Sequence, residues 1–126
     1  MQRSIVICPL FNDEPSFNIF IRELEKNLSG NADQNFFLLV VNDGSFKKPE
    51  LKSSLPLTIL HLHKNIGHQK AIAIGLSHAH SQLTFDNIVV MDADGEDKPE
   101  DISPLLQAFK QTNKTVVAHR ASRQNG

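Results

Sequence analysis

The 126-residue chain has one cysteine, Cys8, and neither tryptophan nor tyrosine. A single cysteine excludes an internal disulfide, and its place in an apolar run makes it a small buried core residue suited to a reducing compartment. Charge of one sign is also missing: 13 Lys and Arg face 14 Asp and Glu, for a formal net charge of -1. Without a global basic field, the composition argues against nucleic acid as the main partner. No apolar run approaches the roughly 20 residues that cross a bilayer. At the N-terminus, strand-like sequence follows Arg3 at once, with no signal-peptide pattern. The expectation is a soluble, cytoplasmic chain without a membrane span. Repeats, low-complexity tracts and a second domain are absent too, so 1–126 reads as one domain, with 40% hydrophobic residues for its core.

What is present is an alternation of apolar runs and amphipathic stripes. Ser4 to Cys8, Phe36 to Val41, Leu57 to Leu62 and Ile88 to Met91 are continuous apolar runs of strand length, and Thr115 to Ala118 is a shorter one. Between them, Phe17, Ile21, Leu24 and Leu28 recur at helical spacing, with Pro15 tolerated in the first turn. Ala71, Ile72, Leu76 and Ala79 form a second stripe, with Gly75 where close packing on a sheet suits it, and Ile102, Leu105, Leu106 and Phe109 form a third. Continuous rather than alternating strands are buried on both faces, which predicts an α/β fold: a mostly parallel sheet flanked by helices, with right-handed crossovers. Ligands of such sheets bind beyond the carboxyl ends of the strands. Asn12-Asp13-Glu14, Asn42-Asp43, Asn65-Ile66-Gly67 and Asp92-Ala93-Asp94 all follow strand ends, so four polar clusters are expected on one edge.

The run Ile88 to Met91 stops abruptly in acids. Asp92 and Asp94, spaced i and i+2, and Glu96 beyond the flexible Gly95 can converge on one hard cation. A solvated acidic loop capping the next helix is the plainer alternative. From Asp92 to Asp101 there are six acids and one lysine, whereas Lys110, Lys114, Arg120 and Arg123 follow with no acid among them. A cation site and an anion site can therefore lie side by side.

Four segments, Pro9-Leu10-Phe11-Asn12-Asp13-Glu14, Val41-Asn42-Asp43-Gly44-Ser45, Asn65-Ile66-Gly67 with Ala71, and Met91-Asp92-Ala93-Asp94, carry a resemblance through their order, spacing and position after successive strands. Together they resemble the N-terminal, nucleotide-sugar-binding part of a family 2 glycosyltransferase with the Rossmann-like GT-A fold. Within it the chain is most similar to the polyprenyl-phosphate and dolichol-phosphate sugar synthases. The resemblance implies that Pro9, Phe11 and Glu14 line a nucleoside pocket, Phe11 standing where tyrosine is more usual. It makes Asp43 an acceptor for the base, although a simple turn residue would look the same in sequence. Asn42 stands where the family often has an acid.

The resemblance further implies that Asn65, Gly67 and Lys70 serve the donor at a helix N-terminus, where amides and the helix dipole favour an anion; an ordinary helix start is the plainer reading. Asp92 and Asp94 match the family's metal-binding pair, Ala93 lies between them against the donor, and Glu96 takes the place of a further ligand. Arg120 and Arg123 match a basic pair positioned for phosphate, a task that suits the planar guanidinium fork.

The implied chemistry is inverting and dependent on a divalent metal, Mn or Mg. An acceptor, a lipid phosphate or a saccharide, attacks the anomeric carbon of a UDP- or GDP-sugar. Relatives take their general base from a segment beyond position 126. The chain is therefore expected to hold the donor-binding part of a fold truncated on its C-terminal side, with the full-length protein at the cytoplasmic face of the membrane. A non-catalytic nucleotide-binding or interaction module is the competing reading. A phospho-acceptor signalling domain would need its acceptor aspartate after the third strand, where this chain has His63-Lys64-Asn65. His61 and His63 share one strand face, yet no cysteine or third histidine lies near them, and an edge-strand or strand-end role is expected. His68 opens the second helix beside the expected donor site.

Overall fold

The β-branched run at the N-terminus lies within a nine-residue strand, β1 (Gln2–Leu10), the centre of the molecule. A computed structural model describes residues 2–28, 34–92 and 116–117. The third helical stripe, at Ile102 to Phe109, lies outside the described residues, as do Ala93, Asp94, Glu96, Arg120 and Arg123. After β1 come α1 (Glu14–Leu28), β2 (Gln34–Asn42), β3 (Leu57–His61), α2 (His68–Gln82), β4 (Asn87–Val90) and β5 (Val116–Val117). All five strands are parallel, in the spatial order β3-β2-β1-β4-β5. The α/β class read from the sequence is thus the fold observed.

The order reverses between β1 and β4, and the helices follow from that reversal. The chain steps one way from β1 to β2 through α1 and the other way from β3 to β4 through α2. Right-handed crossovers then require the two helices on opposite faces. That is where they are. Val6, Cys8 and Leu10 of β1 pack with Phe17, Phe20, Ile21, Leu24 and Leu28 of α1. Ile5 and Ile7 pack on the other face with Ala71 and Ala79 of α2. Cys8 is fully buried, as expected of a lone core cysteine. At the edge, β3 is only half-buried, which explains why its apolar run is the least continuous in burial.

Two residues set how closely these layers fit. Gly75 on α2 faces the sheet so tightly that a Cβ there would lie 2.9 Å from Ile7 Cγ2 and 3.0 Å from Val41 Cγ2. Pro9 explains where pairing with β4 stops. Ile7 O accepts Met91 N at 3.0 Å while Leu10 O accepts Asp43 N at 2.8 Å. Odd residues of β1 therefore turn their backbone toward β4, and the nitrogen of Pro9 faces that side just past the β4 end at Val90. A residue without N–H costs no ladder bond there. Strand β4 is released into Met91 and Asp92 at the sheet edge.

Candidate functional site

Beyond the carboxyl ends of the strands the loops are tied to one another pair by pair. The turn after β1 places Asn12 in a left-handed conformation at φ 51, which asparagine tolerates better than most residues. Its amide donates to Ser45 Oγ at 2.9 Å, and Phe46 N donates back to Asn12 Oδ1 at 2.8 Å. Between these two loops lies a pocket of about 280 Å³ whose lining includes Leu10, Asn12, Glu14, Phe46, Lys47 and Pro49. Phe46 in that lining meets Phe11 edge to face, ring centroids 6.0 Å apart, and the two are 90% and 41% exposed. Aromatic faces left in water at the end of a sheet are surfaces on which a planar ligand can stack.

Asp43 is buried and acts as a hub. Its Oδ1 accepts Ile66 N at 2.8 Å, and its Oδ2 accepts Asn65 Nδ2 at 2.8 Å and Gly67 N at 3.1 Å. A carboxylate offers about four lone-pair positions, so these bonds leave room for one further donor, on Oδ1. The neighbouring Gly44, at φ +74, brings its backbone against the same segment: a Cβ would lie 2.3 Å from Asn65 N and from Lys64 C. Together Asp43 and Gly44 clamp the loop that opens α2. Two amides at this helix start, those of Ile66 and Gly67, are thereby given to Asp43, and the anion they meet is part of the protein. The first intrahelical bond runs from Ala71 N to Gly67 O, 3.0 Å. The N–H groups of His68, Gln69 and Lys70 precede it, and no side chain caps them. Lys70 is exposed alongside.

The start of α2 meets the end of β4. Asp92, 8% exposed, is held by His68, whose Nε2 lies 2.9 Å from Asp92 Oδ1. This contact bridges the start of α2 and the end of β4. The described residues contain no group of three or more His, Cys, Asp or Glu that could hold a metal ion, and Asp94 and Glu96 are not among those residues. Asp92 is a carboxylate, the oxygen donor type that Mg and Mn take.

Of the residues singled out in the sequence, Phe11, Glu14, Asp43, Asn65, Gly67, Lys70 and Asp92 lie at this edge, with Pro9 buried near the end of β1. Glu14 has a second task, accepting Glu50 N on Oε1 at 2.6 Å and so tying the start of α1 to the loop after β2. Three features carried no sequence signal. Phe46 and Lys47 follow the Asn-Asp-Gly-Ser turn without a pattern of their own. Asn42, where the family often has an acid, is paired across β2 and β3 with His61, Nδ2 to Nδ1 at 3.0 Å. That pairing gives His61 its role at the strand end. The partnership of His68 with Asp92 spans 24 residues and needs the strand order to be foreseen.

Comparison with known proteins fits this arrangement. Residues 5–126 match the family described as Glycosyl transferase family 2. The chain is 35% identical to an uncharacterized glycosyltransferase, YkcC, of Bacillus subtilis, over 98% of this chain and 38% of that protein. It is 31% identical to the undecaprenyl-phosphate 4-deoxy-4-formamido-L-arabinose transferase of Photorhabdus laumondii, over 95% of this chain and 38% of the relative. With the dolichol-phosphate mannosyltransferase of Pyrococcus furiosus it shares 29% identity, over 91% of this chain and 32% of the relative. The chain thus spans well under half the length of these relatives. On the family match across nearly its whole length, the chain belongs to glycosyl transferase family 2.

Proposed function

We propose that the chain is the donor-binding domain of an inverting, metal-dependent glycosyltransferase that moves a sugar from a UDP- or GDP-sugar to an acceptor. A polyprenyl phosphate is the favoured acceptor, in line with the names of the relatives, and a saccharide is the other candidate. The observation that carries this reading is the convergence at one sheet edge of an aromatic-walled pocket, a buried acceptor and a buried acid. Pro9, Phe11 and Glu14 would line the nucleoside site, Phe11 taking the base by stacking. The remaining lone pair of Asp43 Oδ1 would accept a hydrogen bond from the base, on a carboxylate already fixed by three donors. Asn65, Gly67 and Lys70 would border the nucleoside from the start of α2.

The diphosphate would lie toward Asp92, Ala93 and Asp94. Asp92, Asp94 and Glu96 would hold Mn or Mg, which when bound neutralises charge developing on the leaving diphosphate. Arg120 and Arg123 would add bidentate contacts to its oxygens. No described helix is long and apolar enough to cross a membrane. Work at the cytoplasmic membrane face is a proposal that follows from the lipid acceptor.

The test is to incubate the chain with UDP- and GDP-sugars, Mg or Mn, and a polyprenyl phosphate. Metal-dependent release of nucleoside diphosphate with sugar transfer supports the enzyme reading. Binding without turnover limits the chain to donor capture, and failure of every sugar nucleotide to bind contradicts the proposal.

A further inference from the structure

We propose that His68 is a positioning residue, holding the Asp92 carboxylate in the orientation that the divalent cation requires. This inference rests on the reading of Asp92 as a cation ligand. A carboxylate only accepts, so in the 2.9 Å contact with Asp92 Oδ1 the His68 Nε2 carries the proton and donates. The ring is not there to fill the core, because the His68 side chain is 46% exposed. What it does is hold one oxygen of a side chain that is itself only 10% exposed. Metal-ligating carboxylates are commonly oriented in this way by outer hydrogen bonds, whose loss weakens metal binding about 10- to 100-fold.

His68 is well placed for the task. It is the first residue of α2, and the loop before it is clamped by the Asp43 carboxylate on Ile66 and Gly67 and by Gly44 against Lys64 and Asn65. The imidazole is therefore carried by a fixed helix start. The same clamp joins the corner proposed for the base to the acid proposed for the cation. Asp43 and Asp92 belong to one framework with His68 at its far end.

The test uses the full chain, Mn(II), and whichever of UDP and GDP binds the wild type. His68→Ala and His68→Phe, the second keeping a ring without a donor, are expected to weaken Mn(II) binding about tenfold or more. Metal-free nucleotide affinity and circular dichroism stay at wild-type values. His68→Gln, which restores an N–H donor, recovers most of the loss, and pulsed EPR of bound Mn(II) shows no directly coordinated histidine nitrogen. Wild-type Mn(II) affinity in either donorless variant overturns the inference, as does a directly bound nitrogen or a His68→Gln no better than His68→Phe. If Asp92→Asn abolishes Mn(II) binding and His68→Phe does not, only the role of His68 fails. If Asp92→Asn changes nothing, the cation reading falls and this inference with it.

Discussion

Asn65 gives its side-chain amide to two acceptors of Asp43, donating to the backbone carbonyl at 3.1 Å and to carboxylate Oδ2 at 2.8 Å. These two bonds, with the amides of Ile66 and Gly67 on the same carboxylate, make Asp43 the fastening between β2 and the start of α2. Asp43→Ala leaves these donors without their acceptor and is expected to destabilise the chain by about 2–4 kcal/mol. Urea unfolding checks this, and an unchanged midpoint at unchanged slope would show that the fastening contributes little.

Gly44 should be equally intolerant for a different reason. Its φ of +74 strains any L side chain, and the added Cβ would meet the backbone of Lys64 and Asn65 at 2.3 Å. Neither of those atoms can move without moving the loop. Gly44→Ala is expected to cost about 2–4 kcal/mol, combining backbone strain with displacement of the loop. Retention of the wild-type unfolding midpoint would contradict the close approach.

At Gly75 two effects oppose each other. Alanine in a helix interior gains about 1 kcal/mol over glycine. Against that, the new methyl would press on Ile7 and Val41 at about van der Waals overlap, and both are fully buried. Overpacking of this kind costs about 1–3 kcal/mol, so Gly75→Ala is expected to be destabilising on balance. A stabilised variant would mean that α2 can lift from the sheet at little cost.

The contrast among these glycines marks how far the sequence could be read. Close packing at Gly75 was legible, because a glycine inside a helical apolar stripe has few other uses. Strand positions and the parallel sheet were legible for a similar reason: runs such as Phe36 to Val41 leave no face for water. The clamp made by Asp43 was hidden, since a turn aspartate, a base acceptor and a helix anchor share one local pattern. The pairs Asn42 with His61 and His68 with Asp92 depend on strand register and strand order. Neither is set by local periodicity. Phe46 could not be singled out at all, because one exposed aromatic after a turn becomes meaningful only when Phe11 is found beside it.

That exposed ring separates binding from stability. Phe46 is 90% exposed and contacts Phe11 edge to face, so Phe46→Ala is expected to shift stability by less than about 0.5 kcal/mol. If the pocket between the loops receives the base, the same variant loses aromatic surface worth about 1 kcal/mol, or roughly fivefold in nucleotide affinity. Unfolding and binding titrations on one preparation check both halves. Unchanged affinity would place the base away from Phe46.

The central claim is that the end of β4 and the start of α2 hold a nucleoside diphosphate together with a divalent cation. It is tested most directly by calorimetric titration of UDP and GDP into the chain, with and without Mn(II), repeated on Asp92→Asn. The account predicts that at least one nucleotide binds more tightly with Mn(II) and that Asp92→Asn removes the metal-dependent gain. Equal affinity with and without Mn(II), or a gain that survives in Asp92→Asn, would contradict it.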